Sequence, residues 1–178
     1  QAFSRAASIN PENLKAQLKV GQILLLGRQT AEARKRAELI LEKSPEDVEA
    51  LSLFSGIQVQ EKDLDSAIKT LEKAASVNPK HFNTQLSMGR LFLLKGEIDK
   101  AEKAYLKAIS VEPSSHVPYV ELSRIYGSRG EWDKAEAELK KMIQASGPKP
   151  QNFLVLAGYY EGRAKWEEAE KTYLEAVN

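Results

Sequence analysis

Residues 95–115 read KGEIDKAEKAYLKAISVEPSS, and residues 129–149 read RGEWDKAEAELKKMIQASGPK. The Gly-Glu, the Asp-Lys-Ala-Glu and their spacing return from the first stretch to the second. The step from Lys95 to Arg129 also separates Pro11, Pro45, Pro79 and Pro113, and again Ala33, Ala67, Ala101, Ala135 and Ala169. Four residues beyond each alanine stand Ala37, Leu71, Tyr105, Leu139 and Tyr173. Three further on come Ile40, Ala74, Ala108, Met142 and Ala176. No insertion breaks the register. A fixed period of this length marks a repeated supersecondary unit that cannot bury its apolar face alone.

Each repeat reads as two helices. In the third, Leu86, Gly89 and Leu93, then Ala101, Tyr105 and Ala108, keep the three- and four-residue spacing of one helix face. Gly96 marks the turn between them, where a residue without Cβ can take positive φ. Pro113 ends the second helix, because it lacks an N–H and clashes with the preceding turn. Gly89 and Ala101 are packing residues in this reading, small enough for two backbones to approach closely.

Composition limits the function classes. The 178 residues carry 42% apolar and 29% charged side chains, a globular balance. A net charge of +1 gives no bulk attraction to nucleic acid or anionic membrane. The chain has no cysteine, which excludes disulfides, thiolate nucleophiles and cysteine metal sites. No apolar run, Ile23 to Leu26 included, approaches the roughly 20 residues a membrane helix needs.

The pattern resembles the tetratricopeptide repeat. The third repeat carries Met88-Gly89, Phe92, Gly96, Ala101, Tyr105, Ala108 and Pro113; the fourth carries Tyr119, Leu122-Ser123, Tyr126, Gly130, Ala135 and Leu139. Phe153, Leu156-Ala157, Tyr160, Ala169, Tyr173 and Ala176 follow in the fifth. The resemblance implies an all-α fold, an α-solenoid of stacked antiparallel helix pairs wound into a right-handed superhelix. It implies one array over residues 1–178, with 1–13 as the second helix of a partial repeat, repeats at 14–47, 48–81, 82–115 and 116–149, and a truncated repeat at 150–178. Phe3, Ala6 and Pro11 fall in the slots of that leading half repeat. The opening Gln and the half repeats lead us to expect a piece of a longer protein.

Three places depart from the pattern. Gly27 stands one residue before the turn slot, Lys62 occupies that slot in the second repeat, and Gly147 takes the slot of the repeat-ending proline, followed by Pro148 and Pro150. A change of superhelical angle, or an equivalent turn with a displaced proline, is expected at this last junction.

The resemblance also implies that first helices line a concave groove that binds a peptide or partner helix, without catalysis. Its groove slots hold Leu18, Ser52, Leu86, Val120 and Leu154; then Gln22, Gly56, Arg90, Arg124 and Gly158; then Leu25, Val59, Leu93, Gly127 and Glu161. The candidate contact residues are Leu18, Gln22, Leu86, Arg90, Leu93, Val120, Arg124 and Leu154. They suit an amphipathic partner whose acidic group meets the arginines. The competing reading makes the leucines inter-repeat core and the arginines solvated charges. No frame supplies the Lys and Asn of the carboxylate clamp known in chaperone-binding relatives, since Leu18 and Gln22 stand there in the first repeat. Two alternatives remain: a targeting or regulatory segment of a larger enzyme, and an assembly module of a bacterial envelope, secretion or polysaccharide-export system. Homo-association through exposed repeat ends is a further expectation, as are no nucleic-acid partner and no direct membrane span.

No cofactor is expected. His81 and His116 lie at successive repeat starts, as turn or cap residues rather than a metal-spaced pair. Trp132 and Trp166, one repeat apart, are expected in the inter-helix core. Arg34, Lys35 and Arg36 form the only basic triplet and are expected on a solvated face.

Overall fold

The structure is a computed structural model and describes residues 12–177. The half repeat expected over 1–13, with Phe3, Ala6 and Pro11, lies outside the described residues except for its last two positions. Among the described residues there are ten helices and no strand. They are α1 (Leu14–Leu26), α2 (Thr30–Lys43), α3 (Val48–Gln60), α4 (Leu64–Val77), α5 (Phe82–Leu94), α6 (Ile98–Val111), α7 (His116–Ser128), α8 (Trp132–Ser146), α9 (Pro150–Gly162) and α10 (Trp166–Val177). The fold is an all-α solenoid of antiparallel helix pairs. The helices form two compact units, divided between Glu97 and Ile98. In the first, consecutive helices from α1 to α5 pack together, and α3 also touches both α1 and α5. In the second, each helix from α6 to α10 packs on the next.

Pairing rests on small side chains. Gly21, Ser55, Gly89, Ser123 and Ala157 recur once per repeat on the first helices and are all buried. Ala33, Ala67, Ala101 and Ala135 on the second helices have no accessible surface. A Cβ placed on Gly21 would lie 2.6 Å from Leu53 Cδ2 and 3.3 Å from Arg36 Cβ. The Ser55 hydroxyl donates to the Ala67 carbonyl at 2.9 Å, so the one polar group on this part of the seam is satisfied.

Five turns inside the pairs share one geometry. Arg28, Lys62, Gly96, Gly130 and Ala164 all have φ between 55° and 75°. The N–H of each following residue reaches back five positions: Gln29 to Leu24, Asp63 to Gln58, Glu97 to Phe92, Glu131 to Tyr126 and Lys165 to Tyr160, at 2.8–3.0 Å. This is the Schellman ending of a helix. The first turn is therefore not displaced: Gly27 has φ −77° and remains right-handed, while Arg28 takes the left-handed position. Tertiary closure holds three side-chain-bearing residues where glycine is preferred.

The junction at Gly147 differs from the others. Elsewhere the chain closes with Asp47 N–H to Ser44, His81 N–H to Asn78 and Ser115 N–H to Glu112. Here α8 runs on to Ser146, Gly147 takes φ 84°, and the Lys149 N–H bonds the Gly147 carbonyl at 2.8 Å. Pro150 then opens α9, where its missing N–H is not needed.

Between successive pairs, charged groups latch the end of each incoming first helix. In the first unit, Arg34 on α2 binds Glu61 and lies over the Phe54 ring at 4.8 Å, and Asp65 on α4 binds Lys95 at 2.5 Å. Arg34 is thus a bridging residue of the basic triplet rather than a solvated one, because Glu61 ends the neighbouring helix beside it. In the second unit, Glu102 on α6 accepts from the Tyr126 hydroxyl at 2.9 Å and from Arg129 Nη1 at 2.6 Å, while Asp99 takes Arg129 Nη2 at 2.6 Å. On α8, Glu136 accepts from the Tyr160 hydroxyl at 2.9 Å, Lys140 at 2.7 Å and Lys165 at 3.1 Å. Burial alone raises the Glu136 carboxyl, but these three donors outweigh it and hold it at about 2. Burial and the Glu102 carboxylate push the Tyr126 hydroxyl up to about 12.

Two outcomes follow for stability. Lys62→Gly relieves left-handed strain of about 1–2 kcal/mol and gives back part through chain entropy, so it raises stability by about 0.5–1 kcal/mol. Gly96→Ala lowers it by a similar amount; chemical denaturation of both variants checks the pair. Glu136, depressed in the folded state, contributes stability that is complete above its unfolded value of 4.5 and is lost as pH falls toward 2. Glu136→Gln therefore lowers the melting temperature at pH 7 and flattens its decline between pH 5 and pH 2. A slope equal to that of the unsubstituted chain would rule out this latch as the source.

Candidate functional site

The first helices of the first unit leave a cavity of about 330 Å³ between α3 and α5. Its floor is apolar, with Val59, Leu71 and Leu91; Gly56 and Ser87 open its sides, and Arg90 stands at its rim. Most polar groups on the wall are already satisfied. Ser52 Oγ donates to the Val48 carbonyl at 2.8 Å, Ser55 is held by Ala67, and the Gln60 amide donates to the Leu25 carbonyl at 2.8 Å. Arg90 is exposed and makes no ion pair among the described residues. An aliphatic-walled hollow with one unengaged guanidinium suits an apolar side chain beside an acidic group.

The eight candidate residues divide. Arg90 alone lines this cavity. Leu18 is half-buried and, with Leu24, Leu25 and Phe54, packs on the cluster of Ala33, Ala37, Leu53 and Ile57. Gln22 is half-buried and accepts from Lys19 at 3.1 Å. Leu86 is buried and Leu93 half-buried. In the second unit, Val120 packs against the core of Tyr119, Leu139, Met142, Leu156 and Tyr160. Arg124 is exposed and pairs with Glu121 at 3.0 Å on its own helix. Leu154 is 49% exposed on α9.

Sequence periodicity did not single out Ser87, Leu91 or Leu94 as lining residues. Leu94 carried a signal, a large apolar side chain at the last position of a first helix; it is 64% exposed. The tryptophans also differ from expectation. Trp132 is 39% exposed beneath the Arg163 guanidinium, 3.9 Å from its ring centroid, and Trp166 is 65% exposed. Both open a second helix, at the edge of the pair rather than inside it. His81 caps α5: its Nδ1 lies 2.8 Å from Thr84 Oγ1, and its Nε2 lies 3.1 Å from Glu49. Among the described residues, no three His, Asp or Glu side chains gather to hold a metal ion, and no helix is long and apolar enough to cross a membrane.

Residues 58–120 match the tetratricopeptide repeat family model, and that segment includes the Schellman turns at Lys62 and Gly96. That segment carries tetratricopeptide repeats. Solved structures extend the likeness over nearly the whole chain. MamA is 22% identical with a TM-score of 0.70, over 94% of this chain and 91% of that one. PilF of Pseudomonas aeruginosa is 14% identical with a TM-score of 0.75, over 97% and 79% respectively. The anaphase-promoting complex assembly Cut9–Hcn1 is 16% identical with a TM-score of 0.72, over 98% of this chain and 33% of that one. At these identities the likeness is one of fold. Human protein O-mannosyl-transferase TMTC1 is 28% identical over 96 residues, which are 54% of this chain and 10% of that protein's length.

The candidate site residues thus lie on the first helices of the pairs, and the second helix α4 adds Leu71 to the cavity floor. Filling the hollow tests its accessibility. Ser87→Phe is expected to remove the cavity and to weaken binding of a small hydrophobic fluorophore to the first unit by at least fivefold, with unchanged helicity by circular dichroism.

Proposed function

We propose that this chain is a protein-interaction scaffold without catalysis, and that it holds a partner segment on its first helices. The observation that carries this reading is the cavity between α3 and α5, with Arg90 unengaged at its rim. A partner segment would place an aliphatic or aromatic side chain against Val59, Leu71 and Leu91 and a carboxylate on Arg90. Arg124 supports the same chemistry in the second unit: its side chain is highly exposed, and its one ion pair is a surface pair within a helix, worth little in stability and readily exchanged. Leu154, exposed on α9, offers apolar contact there.

A second reading draws on a different observation. The curated relative is named as a transferase, and the matched stretch is a small part of its length. In that reading the repeats are a targeting or regulatory segment attached to an enzyme, with the same face engaged.

The test is affinity capture with the unsubstituted chain and with Arg90→Glu and Arg124→Glu, singly and together. A charge reversal opposite a carboxylate is expected to weaken capture of a groove partner at least tenfold per site. Capture that is equal in all four samples would remove the arginines, and with them this groove, from the proposal. Both residues are exposed, so thermal melting is expected to remain within about 2 °C of the unsubstituted chain.

A further inference from the structure

The irregular junction at Gly147 borders a polar hollow inside the second unit. A cavity of about 310 Å³ lies where the end of α8 and the start of α9 meet the start of α7. Ser114 and His116 reach it from one chain segment, and Lys149, Gln151 and Asn152 from another. Among the described residues, no carboxylate lines it. Asn152 is buried and fixed: its amide donates to Ser146 Oγ at 2.6 Å and to the Gly147 carbonyl at 3.2 Å. Ser114, His116, Lys149 and Gln151 make no side-chain hydrogen bond or ion pair among the described residues. The helix ends differ here as well. Elsewhere α1, α3 and α4 begin with a side-chain cap from Asn13, Asp47 and Asp63. Neither α7 nor α9 has one, and neither carries an acidic residue in its first turn. The sequence accounts for the opening. At the two preceding junctions a side chain closes the turn, with the Gln85 amide donating to the Pro79 carbonyl and the Tyr119 hydroxyl to the Pro113 carbonyl. One repeat later that slot holds Phe153, which has no donor, and the proline slot holds Gly147.

We propose that this cavity binds a small phosphate monoester. Its unengaged side chains are an ammonium, an imidazole, a hydroxyl and an amide, all able to donate, and they converge from two chain segments. A tetrahedral phosphate presents acceptors in several directions, whereas a carboxylate presents two oxygens in one plane, so the phosphate engages more of these donors at once. The partial positive charge at the starts of α7 and α9 acts on the same anion. The enclosed space and the free side chains make the site; the helix ends only strengthen it. Val155 gives the cavity an apolar wall for the carbon part of the ester. The volume is at the lower end of the about 300–1,000 Å³ usual for small-ligand pockets, which suits an ester of a few carbons. The walls come from three consecutive helices flanked by α6 and α10. This proposal does not rest on the Arg90 cavity and stands or falls separately.

The probe is glycerol phosphate, titrated into the full chain at constant pH and ionic strength and read from the imidazole C–H signals by NMR. The chain has two histidines, so His81 is an internal control: it lies in the first unit, engaged with Thr84 and Glu49. The His116 signal is expected to move and to saturate in the low millimolar range, while that of His81 stays fixed. Lys149→Gln weakens binding about tenfold, the worth of one charge-assisted hydrogen bond. Ser114→Asp, which sets a carboxylate in the cavity, abolishes it. Both residues are exposed, so circular dichroism of the variants should match that of the unsubstituted chain. A shift that does not saturate, a shift shared by His81, an equal response to acetate, or an affinity indifferent to Lys149→Gln would each overturn the proposal. So would a phosphoserine peptide that binds about tenfold tighter than glycerol phosphate, since the anion would then belong to a protein.

Discussion

The close approach of two helix backbones within each pair constrains everything else in this chain. Within the units, Ala33, Ala67 and Ala135 have no accessible surface, and the facing helices carry Gly or Ser at Gly21, Ser55 and Ser123. A methylene added to such a seam has no space, and overpacking costs about 1–3 kcal/mol. The seam also fixes where the chain must reverse. A helix that packs this tightly against its successor must turn within a few residues, and the left-handed Schellman ending does so while satisfying the last carbonyls. That is why Arg28, Lys62 and Ala164 accept positive φ although they carry side chains. Packing between helices outweighs the local preference by more than the strain costs.

Contacts between pairs have a different logic. There the apolar surfaces are similar from repeat to repeat, so shape alone does not say which pair follows which. The charges do. On α4, α6 and α8 the second helix is acidic and the incoming end is basic, as in Asp65 with Lys95, Glu102 with Arg129 and Glu136 with Lys165. At the first interface the signs are exchanged, with Arg34 on α2 and Glu61 on the incoming helix. Slipping that pair by one repeat would set the cation of α2 against another cation. Surface ion pairs contribute little to stability one by one, but like charges brought together oppose the wrong register. The hydroxyls of Tyr126 and Tyr160 strengthen two of these latches, because each brings a donor to a carboxylate that is already partly buried.

The repeat period, read from proline and alanine positions, was enough to define the helix pairs and their family. It was enough because the seam demands small residues at fixed positions whatever surrounds them. Turn conformation was less legible. Glycine at Gly96 and Gly130 announces positive φ, whereas Arg28, Lys62 and Ala164 reach the same geometry through tertiary closure that no local preference reports. Trp132 and Trp166 looked like core because they share slots with Leu64 and Ile98, yet an indole at the first position of a helix overhangs the pair's edge. Candidate contact residues were the least legible of all. Leu18 and Val120 sit at groove slots but spend their side chains on neighbouring helices, since half-buried leucine and valine fill gaps between pairs before they meet solvent.

The cavity lined by Arg90 shows how a hollow opens within one repeat. Its slots in α3 hold Ser52 and Gly56, where other repeats place Leu18, Leu86, Val120 or Leu154, and Gln22, Arg90, Arg124 or Gly158. A Cβ on Gly56 would come within 2.9 Å of Leu25 Cδ2, so the Leu25 side chain fills one side while the side toward α5 stays open. Ser87 on α5 replaces the leucine that Leu53 supplies one repeat earlier. Small side chains at Ser52, Gly56 and Ser87 thus leave a hollow in this part of the array. The backbone scarcely changes, because the seam and the turns hold it; only the surface does. A hollow in a solenoid of this kind is opened by small side chains on a repeated frame, and Arg90 stands among the residues that line the gap.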